Sequence, residues 1–128
     1  MRVLLDTCAF IWLTTDAPEL TAKAKDIFQN PDNRIALSVV SIWEMLVKHG
    51  LGKLALPDQP ETFIARQCEQ HFIDILPLDY RAVLQLARLP NPHRDPFDRM
   101  LVCQALEQGL TILTPDHCIA QYPVATIW

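Results

Sequence analysis

Short apolar runs, each followed by a helical segment, recur along this chain and constrain its fold more than any other feature. The first run, Val3-Leu-Leu5, has three consecutive apolar residues, which is typical of a strand that is covered on both faces of a sheet. Similar runs predict further strands at 34–38, 72–76 and 110–114, with a fifth at the edge at 124–127. Strands that alternate with helices predict parallel β-α-β units. We therefore expect an α/β fold, a three-layer α/β/α sandwich with a four- to five-stranded, mainly parallel sheet.

Length and composition fit one domain of ordinary size. The chain has 128 residues, of which 50% are hydrophobic, so one buried core is expected over residues 1–128. No apolar run approaches the roughly 20 residues that cross a bilayer. No secretory signal precedes the first strand. These features predict a cytoplasmic protein without a membrane partner.

Cysteine and histidine residues give no sign of a zinc site. The four cysteines contain no C-x-x-C pair, and the four histidines lack zinc-like spacing. We expect free thiols in a reducing compartment at all four cysteines, namely Cys8, Cys68, Cys103 and Cys118.

Four acidic residues occupy comparable places in the predicted arrangement. Asp6 ends the first strand, and Asp116 follows the fourth. Glu44 lies one turn into the helix after the second strand, and Asp98 lies in the first helical turn after a Pro-rich loop at 90–95. In open α/β sheets, ligands bind beyond the carboxyl ends of the strands. We therefore expect the four carboxylates to share one crevice.

Each acid also has a purely structural explanation. Asp6 could cap the helix that follows it, and Asp116 could belong only to a turn. Glu44 lies three residues after Ser41, which is the spacing of a capping box, although Ser38 is the more economical cap. A surface ion pair of Glu44 with Lys48 four residues later is another explanation.

The segment Asp95-Pro-Phe-Asp98 is a strong helix start. We favour Asp95 as the N-cap, with Pro96 at the first helical position. Asp98 could then do no more than complement the helix dipole.

A cluster of carboxylates implies a particular chemistry. Like charges within several Å repel, so protons or a cation must compensate them. Oxygen ligands without His or Cys select Mg²⁺ or Mn²⁺, which can activate a bound water and stabilise charge on a phosphoryl oxygen. The net charge of −4 argues against a broad basic surface that binds nucleic acid. Four acids gathered around a cation would, however, account for this negative charge. Metal-assisted phosphodiester hydrolysis is the predicted reaction.

Four segments together carry a specific family resemblance. They are Leu4-Leu-Asp-Thr7, Ser38-Val-Val-Ser-Ile-Trp-Glu44 continuing to Leu54, His93-Arg-Asp-Pro-Phe-Asp-Arg-Met-Leu101 and Thr111-Ile-Leu-Thr-Pro-Asp116. In combination they resemble the PIN domain in the form carried by VapC-type toxins, over essentially the whole chain. The resemblance implies a Mg²⁺- or Mn²⁺-dependent endoribonuclease that acts on RNA. It also implies inhibition by a cognate antitoxin and, usually, a homodimer.

The resemblance further implies the roles of individual residues. It assigns catalysis and metal binding to Asp6, Glu44, Asp98 and Asp116, and supporting hydroxyl groups to Thr7 and Thr114. Asp95 is an additional candidate ligand beside the third acid. After the fourth acid, His117-Cys118 departs from the Phe that is often found there.

Three basic residues near the motifs are candidate contacts for substrate phosphates. They are Lys48, Arg94 and Arg99. Ordinary solvated charges are the alternative for each of them.

Three other kinds of function are weighed against a nuclease. A receiver domain expects paired acids after strand one and a phosphoacceptor Asp after strand three, whereas here Thr7 follows Asp6 and Pro77 follows Leu76. A non-catalytic interaction domain would use all of its acids as helix caps. A haloacid-dehalogenase-type phosphatase would need an acid where Cys8 stands.

Overall fold

A computed structural model describes residues 1–91 and 94–128 of the chain. Its strands are β1 (Arg2–Leu5), β2 (Arg34–Ser38), β3 (Asp74–Leu76), β4 (Thr111–Leu113) and β5 (Thr126–Ile127). They form one parallel sheet in the order β3-β2-β1-β4-β5. In the register of this sheet, Leu4 lies between Ala36 and Ile112. The predicted parallel sheet is confirmed.

Helices connect the strands on both faces of the sheet. Those among the described residues are α1 (Thr7–Thr15), α2 (Ala22–Gln29), α3 (Val39–Gly50), α4 (Pro60–Gln70), α5 (Tyr80–Gln85), α6 (Pro96–Gln108) and α7 (His117–Ala120). A short 3₁₀ turn, Leu86–Arg88, follows α5. No helix in the described ranges has the length and apolar character needed to span a membrane.

Alternate residues of the central strand build two separate cores. Val3 and Leu5 pack in one cluster with Phe10 of α1 and Phe63 of α4. Leu4 points to the other face of the sheet and joins a second cluster, which includes residues of α6 and α7. The strand is covered on both sides from Val3 to Leu5, and these three residues are all apolar. This arrangement confirms the three-layer sandwich.

The strand order locates the ligand-binding edge. From β1 the chain continues outward through β2 and β3, and it then crosses back to place β4 on the other side of β1. The order of the strands therefore reverses between β1 and β4. At such a switch point the connections diverge to opposite faces and leave a crevice beyond the strand ends. Asp6 follows β1, and Thr114 follows β4, at this edge.

Several boundaries differ from those predicted. β3 begins at Asp74, because Phe72 has a φ of 55° in a left-handed turn and is 89% exposed. The segment Pro18-Glu-Leu-Thr21 predicts the start of a helix, whereas α2 begins at Ala22 with Thr21 as its cap. The predicted Pro-rich loop is only partly described, since Pro92 and His93 lie outside the described residues.

Candidate acidic active site

Asp6 both caps a helix and faces the sheet edge. Its Oδ1 accepts a hydrogen bond of 2.6 Å from the backbone N–H of Ala9, which makes it the N-cap of α1. Its Oδ2 accepts from the hydroxyl group of Thr114, which follows β4. The carboxylate is only 3% exposed. The two explanations of Asp6, as cap and as site residue, are therefore compatible.

Glu44 is buried on α3 with a partner at each carboxylate oxygen. Its Oε1 accepts from the hydroxyl group of Thr7 at 2.6 Å, and its Oε2 accepts from the ammonium group of Lys48. Ser38 caps α3, since its Oγ accepts from the N–H of Val40 at 3.0 Å. The capping-box explanation of Glu44, which required the helix to begin at Ser41, is therefore wrong.

The start of α6 separates the roles of its two acids. Asp95 is the N-cap, as predicted, because its Oδ1 accepts from the N–H groups of Phe97 at 2.9 Å and Asp98 at 3.0 Å. Pro96 occupies the first helical position. The side chain of Asp98 follows in the first turn and is partly buried.

Asp116 is tied to the same network through Thr114. Its backbone N–H donates to the Thr114 hydroxyl at 3.0 Å, while that hydroxyl donates to Asp6. Its Oδ1 accepts from the N–H of Cys118 at 2.8 Å and caps α7. Thr114 therefore links the first and fourth acids of the predicted quartet.

The pKa values of two acids reveal the crowding of negative charge. Burial raises the pKa of Asp6 to about 6, and the charges of Asp116 and Glu44 add to this rise against the hydrogen bonds from Thr114 and Ala9. Burial also raises the pKa of Asp98 to about 7, with further contributions from Asp95, Glu44, Asp116 and Asp6. Asp98 therefore lies within electrostatic range of the three other predicted acids. The structure thus brings the four predicted acids together.

This crowding predicts how the metal-free protein responds to pH. An acid whose pKa rises on folding stabilises the fold below its unfolded pKa near 3.8, and that stabilisation is lost as the pH rises through 6 to 7. We expect the Tm in EDTA to fall between pH 5 and pH 8. Thermal melting of the parent and of the double variant Asp6→Asn, Asp98→Asn measures this, and the decline should be smaller in the variant. An equally steep decline in both proteins would contradict the assignment.

The three predicted basic contacts have different surroundings. Lys48 pairs with Glu44, and this hydrogen bond is the main reason that its pKa is raised. One nitrogen of Arg99 donates to the carbonyl of Pro90 at 2.8 Å and to the hydroxyl of Tyr122 at 3.1 Å. Arg94 is exposed and lines a cavity of about 300 Å³. Contact of any of the three with a phosphate stays a prediction.

Two thiols border the acids but are not activated. Burial, with the nearby charge of Asp6 as the next cause, raises the pKa of Cys8 to about 12. The charge of Asp116 raises the pKa of Cys118. Since the thiolate is the reactive form of cysteine, these thiols are poor nucleophiles.

The chemistry of the cluster fits a hard divalent cation. All of its candidate ligands are carboxylate oxygens. Neighbouring acids add to the raised pKa of Asp6 and of Asp98, and a cation would relieve this repulsion. Lys48 already places one positive charge on Glu44. Among the described residues, no three His, Cys, Asp or Glu side chains are arranged as a ready metal cage. The fit therefore rests on donor type and charge.

Sequence reasoning missed one buried polar residue beside these elements. Gln104 of α6 is 0% exposed and contacts Ser38. The available signal was an amide within the otherwise apolar run Leu101-Val-Cys-Gln-Ala105.

Comparison with known proteins agrees with this arrangement. A model of the PIN domain matches residues 3–124, which is nearly the whole chain. The chain belongs to the PIN domain family. Comparison with curated protein sequences gives no significant match.

Solved structures share the fold of this PIN domain. The chain is similar to one in VapBC2 from Rickettsia felis bound to a DNA fragment from their promoter, with a TM-score of 0.75, 14% identity and coverage of 99% and 98% of the two chains. It is similar to one in VapBC-1 from nontypeable Haemophilus influenzae, with a TM-score of 0.67, 19% identity and coverage of 99% and 97%. It is also similar to one in VapBC-5 from Mycobacterium tuberculosis, a member of the VapBC family of toxin-antitoxin systems, with a TM-score of 0.59, 25% identity and coverage of 94% and 89% of the two chains.

Proposed function

We propose that residues 1–128 form a single PIN-type nuclease domain, a divalent-metal-dependent endoribonuclease that is the toxin of a toxin-antitoxin pair. The observation that carries the proposal is the shared electrostatic neighbourhood of Asp6, Glu44, Asp98 and Asp116 at the β1/β4 switch point of a PIN fold. Carboxylates gathered at this position suit phosphodiester hydrolysis.

In this proposal the four carboxylates hold Mg²⁺ or Mn²⁺. The ion supplies a bound water of lowered pKa and positive charge for a phosphoryl oxygen. Thr7 and Thr114 keep the Glu44 and Asp6 carboxylates oriented, since each hydroxyl donates to one oxygen and leaves remaining lone pairs for a ligand. Asp95 keeps the first turn of α6 in place and thereby positions Asp98.

Substrate binding is assigned to the cations beside the acids. The Lys48 side chain is 41% exposed although its partner Glu44 is buried, so its ammonium group borders both the site and solvent. Arg94 and Arg99 line the neighbouring cavity together with Trp43. We propose that RNA phosphates approach the site along these residues.

Protein partners are proposed from exposed apolar surface and from the similar structures. Large apolar side chains are exposed on α3 and α5, with Trp43 at 58%, Leu46 at 47%, Tyr80 at 68% and Leu84 at 62%. Apolar residues gathered on two helices are typical of a protein interface. Several similar structures are VapBC complexes. We propose a cognate antitoxin, a homodimer and a cytoplasmic location.

Divalent cations should decide whether the purified protein cuts RNA. We expect cleavage of single-stranded RNA in Mg²⁺ or Mn²⁺ and its loss in excess EDTA, because the acids would then repel the substrate phosphates. Gel analysis of the products, with DNA of the same sequence as a control, measures this. Full RNA cleavage in EDTA would contradict the metal-dependent reaction.

Transfer of phosphate from a small donor would instead favour a receiver domain. The residue directly after β3 is Pro77, where a receiver domain would have its phosphoacceptor aspartate. Labelling with acetyl phosphate provides the test, and the nuclease proposal expects no label on the protein.

A further inference from the structure

The fully buried amide of Gln104 joins three parts of the fold. Gln104 lies on α6 and is 0% exposed. Its Oε1 accepts from the hydroxyl of Ser38, the last residue of β2, and its Nε2 donates to the carbonyl of Pro77 after β3 at 3.3 Å. A buried polar side chain is retained at low free-energy cost only when its groups find such partners.

The direction of these hydrogen bonds fixes the orientation of the amide. The Ser38 oxygen accepts from the N–H of Val40, and its hydroxyl proton is therefore directed at Gln104. The Pro77 carbonyl can only accept, so it must face the amide nitrogen. Turning the amide over would place its oxygen against the carbonyl of Pro77. The two partners therefore fix both the position of the Gln104 side chain and the orientation of its amide.

The same contact connects the helices that carry two of the acids. Ser38 is the N-cap of α3, on which Glu44 lies, and Gln104 lies on α6, whose first turn contains Asp98. Further along this interface, the rings of Trp43 and Phe97 meet at a centroid distance of 4.8 Å. The polar contact and the ring contact together set how α3 and α6 lie against each other.

We propose that Gln104 is a positioning residue, which through Ser38 and Pro77 sets the separation of Glu44 and Asp98 and hence the affinity for a divalent cation. This inference rests on the proposed function. Gln104 does not contact the cation itself. Its effect is transmitted by the two helices that it joins, and a buried, dry contact transmits small displacements because the surrounding core is close-packed.

Manganese binding by the metal-free protein tests the inference. Gln104→Met keeps the length of the side chain but removes both hydrogen bonds, and we expect Mn²⁺ affinity to fall by about tenfold or more. Val102→Ala is the matched control, since it removes buried volume from the same helix without touching Ser38. Its Mn²⁺ affinity should stay within about twofold of the parent while its Tm falls. Titration followed by electron paramagnetic resonance, at a temperature where all variants are folded, gives the affinities.

The fluorescence of Trp43 gives a second measurement that needs no metal. In a background with Trp12→Phe and Trp128→Phe, its emission reports the contact with Phe97. We expect Gln104→Met to shift this emission and Val102→Ala to leave it unchanged. If Gln104→Met does not fold, Ser38→Ala removes the same contact from the other side.

The outcomes separate the inference from the proposed function. Normal Mn²⁺ binding and unchanged emission in a folded Gln104→Met protein would overturn the positioning role and leave the nuclease proposal standing. Equal losses of affinity in Gln104→Met and Val102→Ala would also overturn it, because general destabilisation would then explain both. Failure of the parent protein to bind Mn²⁺ would overturn the proposed function and the inference together.

Discussion

Asp6→Asn should reduce RNA cleavage by at least about 100-fold while the metal-free protein stays as stable as the parent or becomes more stable. The amide retains an oxygen that accepts from the N–H of Ala9, so the cap of α1 is kept. Its nitrogen can donate to the Thr114 hydroxyl, which replaces the hydrogen bond that this group now donates to Asp6. Only the charge is lost, and burial and neighbouring acids already disfavour that charge.

A matched substitution separates loss of charge from loss of a cap. Asp79 is also an aspartate N-cap, since its Oδ1 accepts from the N–H of Arg81 at 3.2 Å on α5. Asp79→Asn should leave cleavage unchanged. Cleavage assays and thermal melts of both variants give the comparison. Parent-like cleavage by Asp6→Asn would reduce this residue to a helix cap.

Growth of cells that express the protein extends the same comparison to the proposed toxin. The parent should arrest growth when it is expressed without a partner, whereas Asp6→Asn should not. The inactive variant should still bind the antitoxin, because the exposed apolar residues of α3 and α5 are unchanged. Unimpeded growth during high expression of a protein that cuts RNA in vitro would contradict the toxin role.

The sequence predicted the fold well because its signals were local. Val3-Leu-Leu5 has no polar residue, and a strand with that pattern needs cover on both faces. The caps Ser38 and Asp95 were also readable, since short polar side chains before apolar helical segments mark helix starts.

The strand order and the partners of the acids were not readable from periodicity. They depend on contacts between residues far apart in the chain, such as Thr114 with Asp6 and Thr7 with Glu44. The position of β4 beside β1 brings the first pair together, and only the folded sheet reveals it. Phe72 was wrongly predicted to belong to the third strand because it is apolar and precedes the strand in sequence. Its positive φ turns the backbone away from the sheet.

Asp95 and Asp98 should respond to the same substitution in opposite ways. Asp95→Asn keeps the cap, since Asn accepts from the N–H groups of Phe97 and Asp98 as well as Asp does, so stability should change by only a few tenths of a kcal/mol. Cleavage and Mg²⁺ binding should largely survive. One change is expected at its neighbour: the pKa of Asp98 should fall, because Asp95 raises it more than any other charge does.

Asp98→Asn should stabilise the metal-free protein and yet weaken Mg²⁺ binding and cleavage. Two carboxylates about 4 Å apart repel by roughly 4 kcal/mol at an effective dielectric near 20, before screening and protonation reduce this. Burial and the neighbouring acids raise the pKa of Asp98 from 3.8 to about 7, so its ionisation destabilises the fold as the pH rises. We expect a gain on the order of 2 kcal/mol at pH 8, or a rise in Tm of roughly 7 °C in EDTA.

The pH dependence of that gain distinguishes charge repulsion from better packing. The parent loses stability as the pH rises from the unfolded pKa near 3.8 towards the folded pKa of about 7, so the gain in Tm should be clearly smaller at pH 5 than at pH 8. A packing effect would persist at every pH. Melting curves with EDTA and with Mg²⁺, at pH 5 and pH 8, separate the two, and Asp95→Asn serves as the control. The opposite pattern would be that Asp95→Asn loses the Mg²⁺-induced rise in Tm and the cleavage while Asp98→Asn keeps both. In that case Asp95, and not Asp98, is the third acid of the site and binds the metal.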